Sequence, residues 1–319
     1  MADRYSTENL NRTLTQFALE TMQQPVEGFI AEKIAPIIRV PRNSGTYYKF
    51  EKKANIKDDF DTLRAPKDEA NEVSRAYTEG TFACQQHALK ELIADEERRD
   101  VDLAMIDPDR DAQALITDKL RLGLELRVNA RVMSTTYVTE TGAATAAWNA
   151  ASGVKIEDDI DAAKNNVLKK CGRQANVIVI PPHIATFAKK DSEIHNLCKY
   201  TRQDLLVNGD LPPRIFNLEV LIPTAIYDEA APGLTTQTLD FIWDDNSVLV
   251  AYVDRSTTPN KRAMSLAYQF RCPIGGAFDI AIKKYRKEGK SSDVIEGQVE
   301  QCEEVVCVGA GYLISGAYA

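Results

Sequence analysis

The chain has 319 residues, 44% of them hydrophobic and 27% charged, a make-up that supports a sizeable core and excludes a disordered chain. Its formal net charge of −8 comes without a tail or stripe of Lys and Arg, which argues against a reader of nucleic-acid sequence. The start MADRYSTENLNRTLTQF is polar and acidic where a secretory signal is basic and then apolar, and no window reaches the ~18 apolar residues of a spanning helix. The expectation is a chain folded in a cytoplasm, without a membrane partner.

Helical spacing through Leu10, Leu14, Phe17 and Thr21 ends at Pro25, giving an arm with one short helix. From Pro36 onward two β-like stretches, around Tyr47 to Phe50 and Val73 to His87, flank a charged segment with almost no apolar residues. A connection of that length and charge cannot bury itself, so it projects as an extended loop or hairpin. Asp107 followed by Pro108 is a strong helix start, a capping carboxylate with proline at the first position. The helix that follows is read with Ala112, Leu115, Ile116, Leu122, Leu126, Ala130 and Met133 on one face and Asp118, Arg121 and Glu125 on the other. Its length is about 25 residues, or about 38 Å.

A small-residue linker, TETGAATAAWNAASG, leads to a second amphipathic helix through Ile156, Ile160, Ala163, Val167 and Leu168, with Gly172 suited to its C-terminal cap. NVIVI is apolar throughout, as in a strand covered on both faces, and Pro181-Pro182 with HIATFAKK reads as a helix after it. Further strands are predicted at FNLEVLIP, LDFIW, SVLVAYV, MSLAYQF and FDIAIKKYR, with Asp244-Asp245-Asn246 as a hairpin turn between two of them.

No catalytic, cofactor-binding or metal-binding set emerges. Gly289, Lys290 and Ser291 mimic the end of a phosphate-binding loop, but Lys284 stands where the first glycine is needed and the following residues alternate like a strand. Glu288-Gly289-Lys290 therefore reads as a turn between strands. Cys84 with His87 and His195 with Cys198 have the local spacing of zinc ligands, yet the two pairs are remote in sequence, and an odd offset in a strand points Cys84 and His87 to opposite faces. The six cysteines form no C-x-x-C pair and are read as reduced, mostly half-buried small hydrophobes. His183 sits after a strand, where α/β enzymes place function, but without a G-x-S-x-G elbow or an acid cluster beside it. Gly309 and Gly311 lack a third glycine, with Ile314 in its place, so VGAGYLISG is no dinucleotide fingerprint. The carboxylate pairs Asp158-Asp159, Asp244-Asp245 and Glu303-Glu304 read as solvated rims.

The order of arm, charged projection, long helix and mixed α/β region resembles the major capsid proteins of tailed bacteriophages, whose α+β fold is named after phage HK97. GTYYKFEKKANIKDDFDTLRAP looks like the family's extended loop, and ALKELIADEERRD like the return into the core. NVIVIPPHIATFAKK and FIWDDNSVLVAYV look like its axial domain, and SLAYQFR, YRKEGKSSDVIEG and AGYLI like its closing strands. The resemblance implies an N-terminal arm at 1–36, an extended loop (E-loop) at 37–81, and a peripheral domain at 82–150 with a spine helix at 108–134. An axial domain at 151–268 and closing strands at 269–319 complete it. It implies intersubunit contacts through Tyr47, Tyr48, Lys49, Phe50, Arg64 and Pro66, and assembly into hexamers and pentamers of an icosahedral virion shell around double-stranded DNA.

The implied partners are further copies of the chain, a separate scaffolding protein, a portal protein, a possible decoration protein, and DNA through non-specific contact alone. Some relatives crosslink a loop lysine; Lys49, Lys52, Lys53 and Lys57 stand in the corresponding segment, where exposed lysine ordinarily serves solubility. Two alternatives share parts of this pattern: an encapsulin-like bacterial shell that houses enzymes, and an α/β enzyme with a site near His183.

Overall fold

The first helix, α1 (Arg12–Gln23), starts where Asn11 can cap it: the Asn11 Oδ1 accepts from the N–H groups of Thr13 and Leu14, each at 3.1 Å. The computed structural model describes residues 10–23, 28–50, 62–64, 69–72, 77–100, 107–150, 152–198, 211–230, 233, 236–243, 246–256, 265–274 and 278–318, leaving aside the side chains of 23, 48–50, 77, 99–100 and 197–198. After α1 come the single turn α2 (Ala31–Ile34), β1 (Ile37–Arg39), and an antiparallel ribbon of β2 (Ser44–Phe50) with β3 (Tyr77–Ala83). The chain then runs through β4 (Gln85–Ala94) and α3 (Asp95–Asp100) into the 25-residue helix α4 (Pro108–Val132). Asp107 caps α4 by accepting from the Asp109 N–H at 3.2 Å, with Pro108 in the first turn. This is the arrangement that the Asp-Pro pair predicts.

The second half begins with β5 (Thr141–Ala143) and α5 (Ile156–Cys171), which ends at Gly172 in the left-handed region, φ 75°. It continues through β6 (Val177–Val179), α6 (Pro182–Ala188), α7 (Ser192–Cys198), β7 (Arg214–Ile215), β8 (Leu218–Leu221), β9 (Ile226–Asp228) and β10 (Leu239–Phe241). The remaining strands are β11 (Val248–Ala251), β12 (Ala267–Arg271), β13 (Ala281–Lys287), β14 (Ser292–Val305) and β15 (Gly311–Ser315).

Two sheets organise these elements. The 14-residue β14 is the axis of the first: β4 pairs along one edge, while β13 and then β12 share the other, and β1 lies parallel to β12. The second sheet runs β5-β15-β11-β6-β8-β7. Its strand β6 is buried at every position because both faces are covered. Val177 and Val179 face a core shared with Leu124, Val128 and Val132 of α4, whereas Ile178 faces a core with Ile156, Ile160 and Val167 of α5. That double burial is why NVIVI carries no polar alternation.

Helix α4 ties the sheets together. Its N-terminal half puts Ala112, Ile116 and Leu120 against Ile295 and Val299 of β14, and its C-terminal half enters the second sheet's core. Gly297 permits the close approach, since a Cβ there would lie 2.5 Å from Ile116 Cγ2.

Three expectations need correction. Glu125, read as solvent-facing, is 2% exposed, while Leu115, read as core, is 49% exposed and Ala130 is also exposed. The buried stripe follows 112, 116, 120, 124, 128 and 132, because the helix turns from one sheet to the other along its length. The stretch Val73 to His87 is not one strand: β3 and β4 are separated at Cys84 and pair with β2 and β14 respectively, while 73–76 lie outside the described residues. Finally, β10 and β11 form no hairpin around Asp244-Asp245-Asn246. Strand β10 pairs with β9 and β11 with β15 and β6, so the connection crosses between sheets; Asp244 and Asp245 themselves lie outside the described residues.

Candidate assembly surfaces

Strands β2 and β3 pair from Ser44↔Ala83 to Phe50↔Tyr77, and among the described residues β2 has no other strand partner. The ribbon is rooted by aromatic stacking. The Tyr47 ring lies 5.4 Å from Phe270, and Phe82 lies 4.6 Å from the same ring, above a core of Ile38, Val40 and Cys302. Burial, with Glu304 nearby, pushes the Tyr47 phenol up to about 12. Past the root, cover is lost: Leu63 is 82% exposed, and residues 62–64 and 69–72 are all exposed. A leucine in that state keeps most of its apolar surface in water.

The sequence-predicted contact residues fall along this ribbon and beyond it. Tyr47 is half-buried at the root. The backbones of Tyr48, Lys49 and Phe50 pair with Glu79, Thr78 and Tyr77, while their side chains lie outside the described residues. Arg64 is exposed, and Pro66, Lys52, Lys53 and Lys57 lie outside the described residues.

Beneath the ribbon is an open groove of about 920 Å³, lined by Thr46, Thr81, His87, Arg127, Tyr137 and Glu303 among others. Arg127 clamps Glu303, its Nε 3.2 Å from both carboxylate oxygens. Arg131 reaches Glu304 at 3.3 Å and covers the Tyr137 ring at 4.6 Å. Burial and the Arg127 charge hold His87 below its ordinary pKa. The paired glutamates read as a solvated rim are thus each matched to an arginine of α4.

Elsewhere the short ribbon of β9 and β10 exposes Ile226 and Leu239, 54% and 61%, with Phe241 beside them. Where β13 and β14 meet the start of α4, Asp109 receives both Arg98 and Lys284, and Arg286 spans Asp95 at 2.6 Å and Asp293 at 3.3 Å.

The residues weighed for chemistry have structural occupations. Cys84 Sγ donates to the Phe270 carbonyl at 3.3 Å, and His195 Nε2 lies 2.8 Å from the Lys189 carbonyl. The His183 ring packs edge-on to Tyr318 at 4.9 Å. Glu288–Lys290 forms a tight 3-10 turn joining β13 to β14, as the turn reading predicts. Among the described residues no group of three His, Cys, Asp or Glu could hold a metal ion, and no helix is long and apolar enough to cross a membrane. Sequence reasoning missed Glu125, the arginine clamps of α4 and the apposition of Cys84 with Cys302. Each pairs positions more than ninety residues apart, and no local pattern announces such a meeting.

No protein-family model matches the chain, and no curated protein matches it. Solved structures do. A phage-related protein from Bordetella bronchiseptica RB50 is 17% identical over 97% of both chains, with a TM-score of 0.69. The capsid of cyanophage P-SCSP1u is 11% identical over 93% of this chain and 92% of that one, at 0.63. The capsid of a native GTA particle is 14% identical over 92% and 93%, at 0.59. At these identities the likeness is one of fold, over nearly the whole length of the chain.

Proposed function

We propose that this chain, whose fold is the α+β fold of HK97-like phage capsid proteins, is a major capsid protein that assembles with copies of itself into the icosahedral shell of a tailed phage or phage-like particle. The observation that carries the reading is the near full-length likeness to capsid subunits, joined to a ribbon whose described residues beyond the root are exposed. Its work is mechanical rather than catalytic. The ribbon, within the proposed E-loop at 37–81, lies across a neighbouring subunit, with Tyr48, Lys49, Phe50, Arg64 and Pro66 on the contact and Tyr47 at the hinge of the root. Residues 1–36 act as the arm, 82–150 as a peripheral domain around α4, 151–268 as an axial domain meeting its copies at fivefold and sixfold axes, and 269–319 as strands that return to both.

Closed symmetry lets many modest contacts sum to a stable shell. A net charge of −8 suits a container whose DNA must not adhere, so contact with packaged DNA is non-specific. A separate scaffolding protein, a portal protein and a possible decoration protein are the remaining partners proposed, with assembly in the host cytoplasm.

The test is expression of the full chain, alone and with its neighbouring genes, followed by size-exclusion chromatography and negative-stain microscopy. Hollow polyhedra are expected, and DNA inside native particles. A chain that stays monomeric at every concentration and with every neighbour would overturn the reading; particles filled with protein cargo would move it to an encapsulin-like shell.

A further inference from the structure

Strand β4 ends its pairing with β14 at Gln85↔Gln301, and the next residues in the same antiparallel register are Cys84 and Cys302. They therefore stand opposite one another just past the ladder. Their sulfurs are 3.9 Å apart, although 218 positions separate them in sequence. Opposed residues of antiparallel strands have Cα separations of roughly 4.5–5.5 Å, inside the range that a disulfide spans. Closing the remaining sulfur gap takes a side-chain rotation and leaves the strands in place. Both cysteines are free thiols, Cys302 buried and Cys84 partly exposed, and they lie in the aromatic core that roots the β2–β3 ribbon.

We propose that Cys84 and Cys302 are a disulfide-forming pair that, on oxidation, fastens the root of the ribbon to β14. The site needs an external two-electron oxidant, and a low-molecular-weight disulfide such as oxidised glutathione supplies it. The thiolate of Cys84, the more accessible of the two, attacks one sulfur of the small disulfide and expels a small thiolate. Cys302 then loses its proton and attacks the Cys84 sulfur, expelling the second small thiolate. One S–S bond is broken and one is formed; two electrons and two protons pass from the protein thiols to two small thiols. A reducing cytoplasm keeps the pair open, and an oxidising exterior closes it. The closed bond spans the point where the chain leaves β3 for β4, so it ties the ribbon to the longest strand of the first sheet.

The experiment uses the purified full-length chain and does not depend on assembly, so its failure is distinct from failure of the capsid reading. Reduced protein is incubated with oxidised glutathione, alkylated under denaturing conditions and digested without reductant. A linked peptide joining Cys84 to Cys302 is expected, with the other four of the six cysteines alkylated. Cys302→Ser is expected to stop the reaction halfway, leaving glutathione on Cys84, and Cys84→Ser to leave Cys302 unlinked. The oxidised wild type should melt higher than the reduced form by about 5 °C, and neither variant should show that difference. Six alkylated thiols after oxidation, a link from Cys84 to Cys272, or equal melting of the oxidised and reduced forms would overturn the proposal.

Discussion

Glu125 is a carboxylate taken out of water and surrounded by donors: the N–H groups of Ile30 and Ala31 at 2.8 and 3.0 Å, and Trp243 Nε1 at 2.8 Å. It serves as the cap of α2 from 95 residues away, because Ile30 offers no capping side chain. Arg271, also buried, is less well served: its ion pair with Glu32 is long, 3.9 Å, and among the described residues its Nε and Nη2 find no hydrogen-bond partner. Removing Glu125 would strand three buried donors, so Glu125→Ala is expected to cost about 3 kcal/mol in urea unfolding. Its pH dependence has a definite sign. Burial outweighs the three hydrogen bonds and raises the Glu125 pKa above the ordinary 4.5. The folded chain thus holds this proton more tightly than the unfolded one. The resulting contribution is whole below the unfolded pKa and is lost as pH rises through the raised folded value. Glu125→Gln mimics the protonated form, so wild-type stability relative to Glu125→Gln should fall as pH rises from the unfolded carboxyl's range through the raised folded pKa. A wild-type advantage that grows with pH would show the sign to be wrong.

At the scale of elements, the contact between α4 and β14 depends on the missing side chain of Gly297. A Cβ there would meet Ile116 Cγ2 at 2.5 Å and Ile282 Cδ1 at 3.2 Å, in a core already filled by Leu120 and Val299. Gly297→Ala is expected to destabilise by about 1–3 kcal/mol. Ile116→Ala should recover part of that loss when the two changes are combined, although it leaves a cavity when made alone. Strict additivity in a double-mutant cycle would place the strain elsewhere. Gly297 also marks the limit of what local pattern conveys. The α4 boundaries, the Asp107 cap, the Gly172 cap and the apolar β6 were readable because each depends on neighbours in sequence or on burial of every position. The α4 face was misread because the helix packs against two sheets in succession, and a single averaged stripe cannot describe that. The break at Cys84 was invisible for a related reason: β3 and β4 are both extended, and only their different partners, β2 and β14, separate them. The contact residues of the ribbon rest on resemblance, since a single subunit carries no partner surface against which to read them.

For the whole molecule, the ribbon proposed to meet a neighbouring copy is held at its root and exposed beyond it. Its root is fixed by Tyr47, Phe82 and Phe270, whereas Leu63 and its neighbours 62, 64 and 69–72 are exposed. Apolar and charged groups so placed lie outside the chain's buried core, and closing the long connection between the two strands costs entropy. Replacing residues 49–78 by Asn-Gly would keep the Tyr48↔Glu79 pair and close it with a two-residue type I′ turn. The loop-closure cost falls by about 2 kcal/mol on that change, from the logarithmic dependence on loop length. Thermal unfolding of the shortened chain should therefore begin no lower than that of the full chain. Under the proposed function assembly should fail, because the surface proposed to meet the neighbouring copy is gone. Light scattering and negative-stain microscopy of the two proteins at matched concentration read both halves of the expectation. A shortened chain that still closes into shells would remove the ribbon from the interface, and one that unfolds would make it part of the subunit's own core.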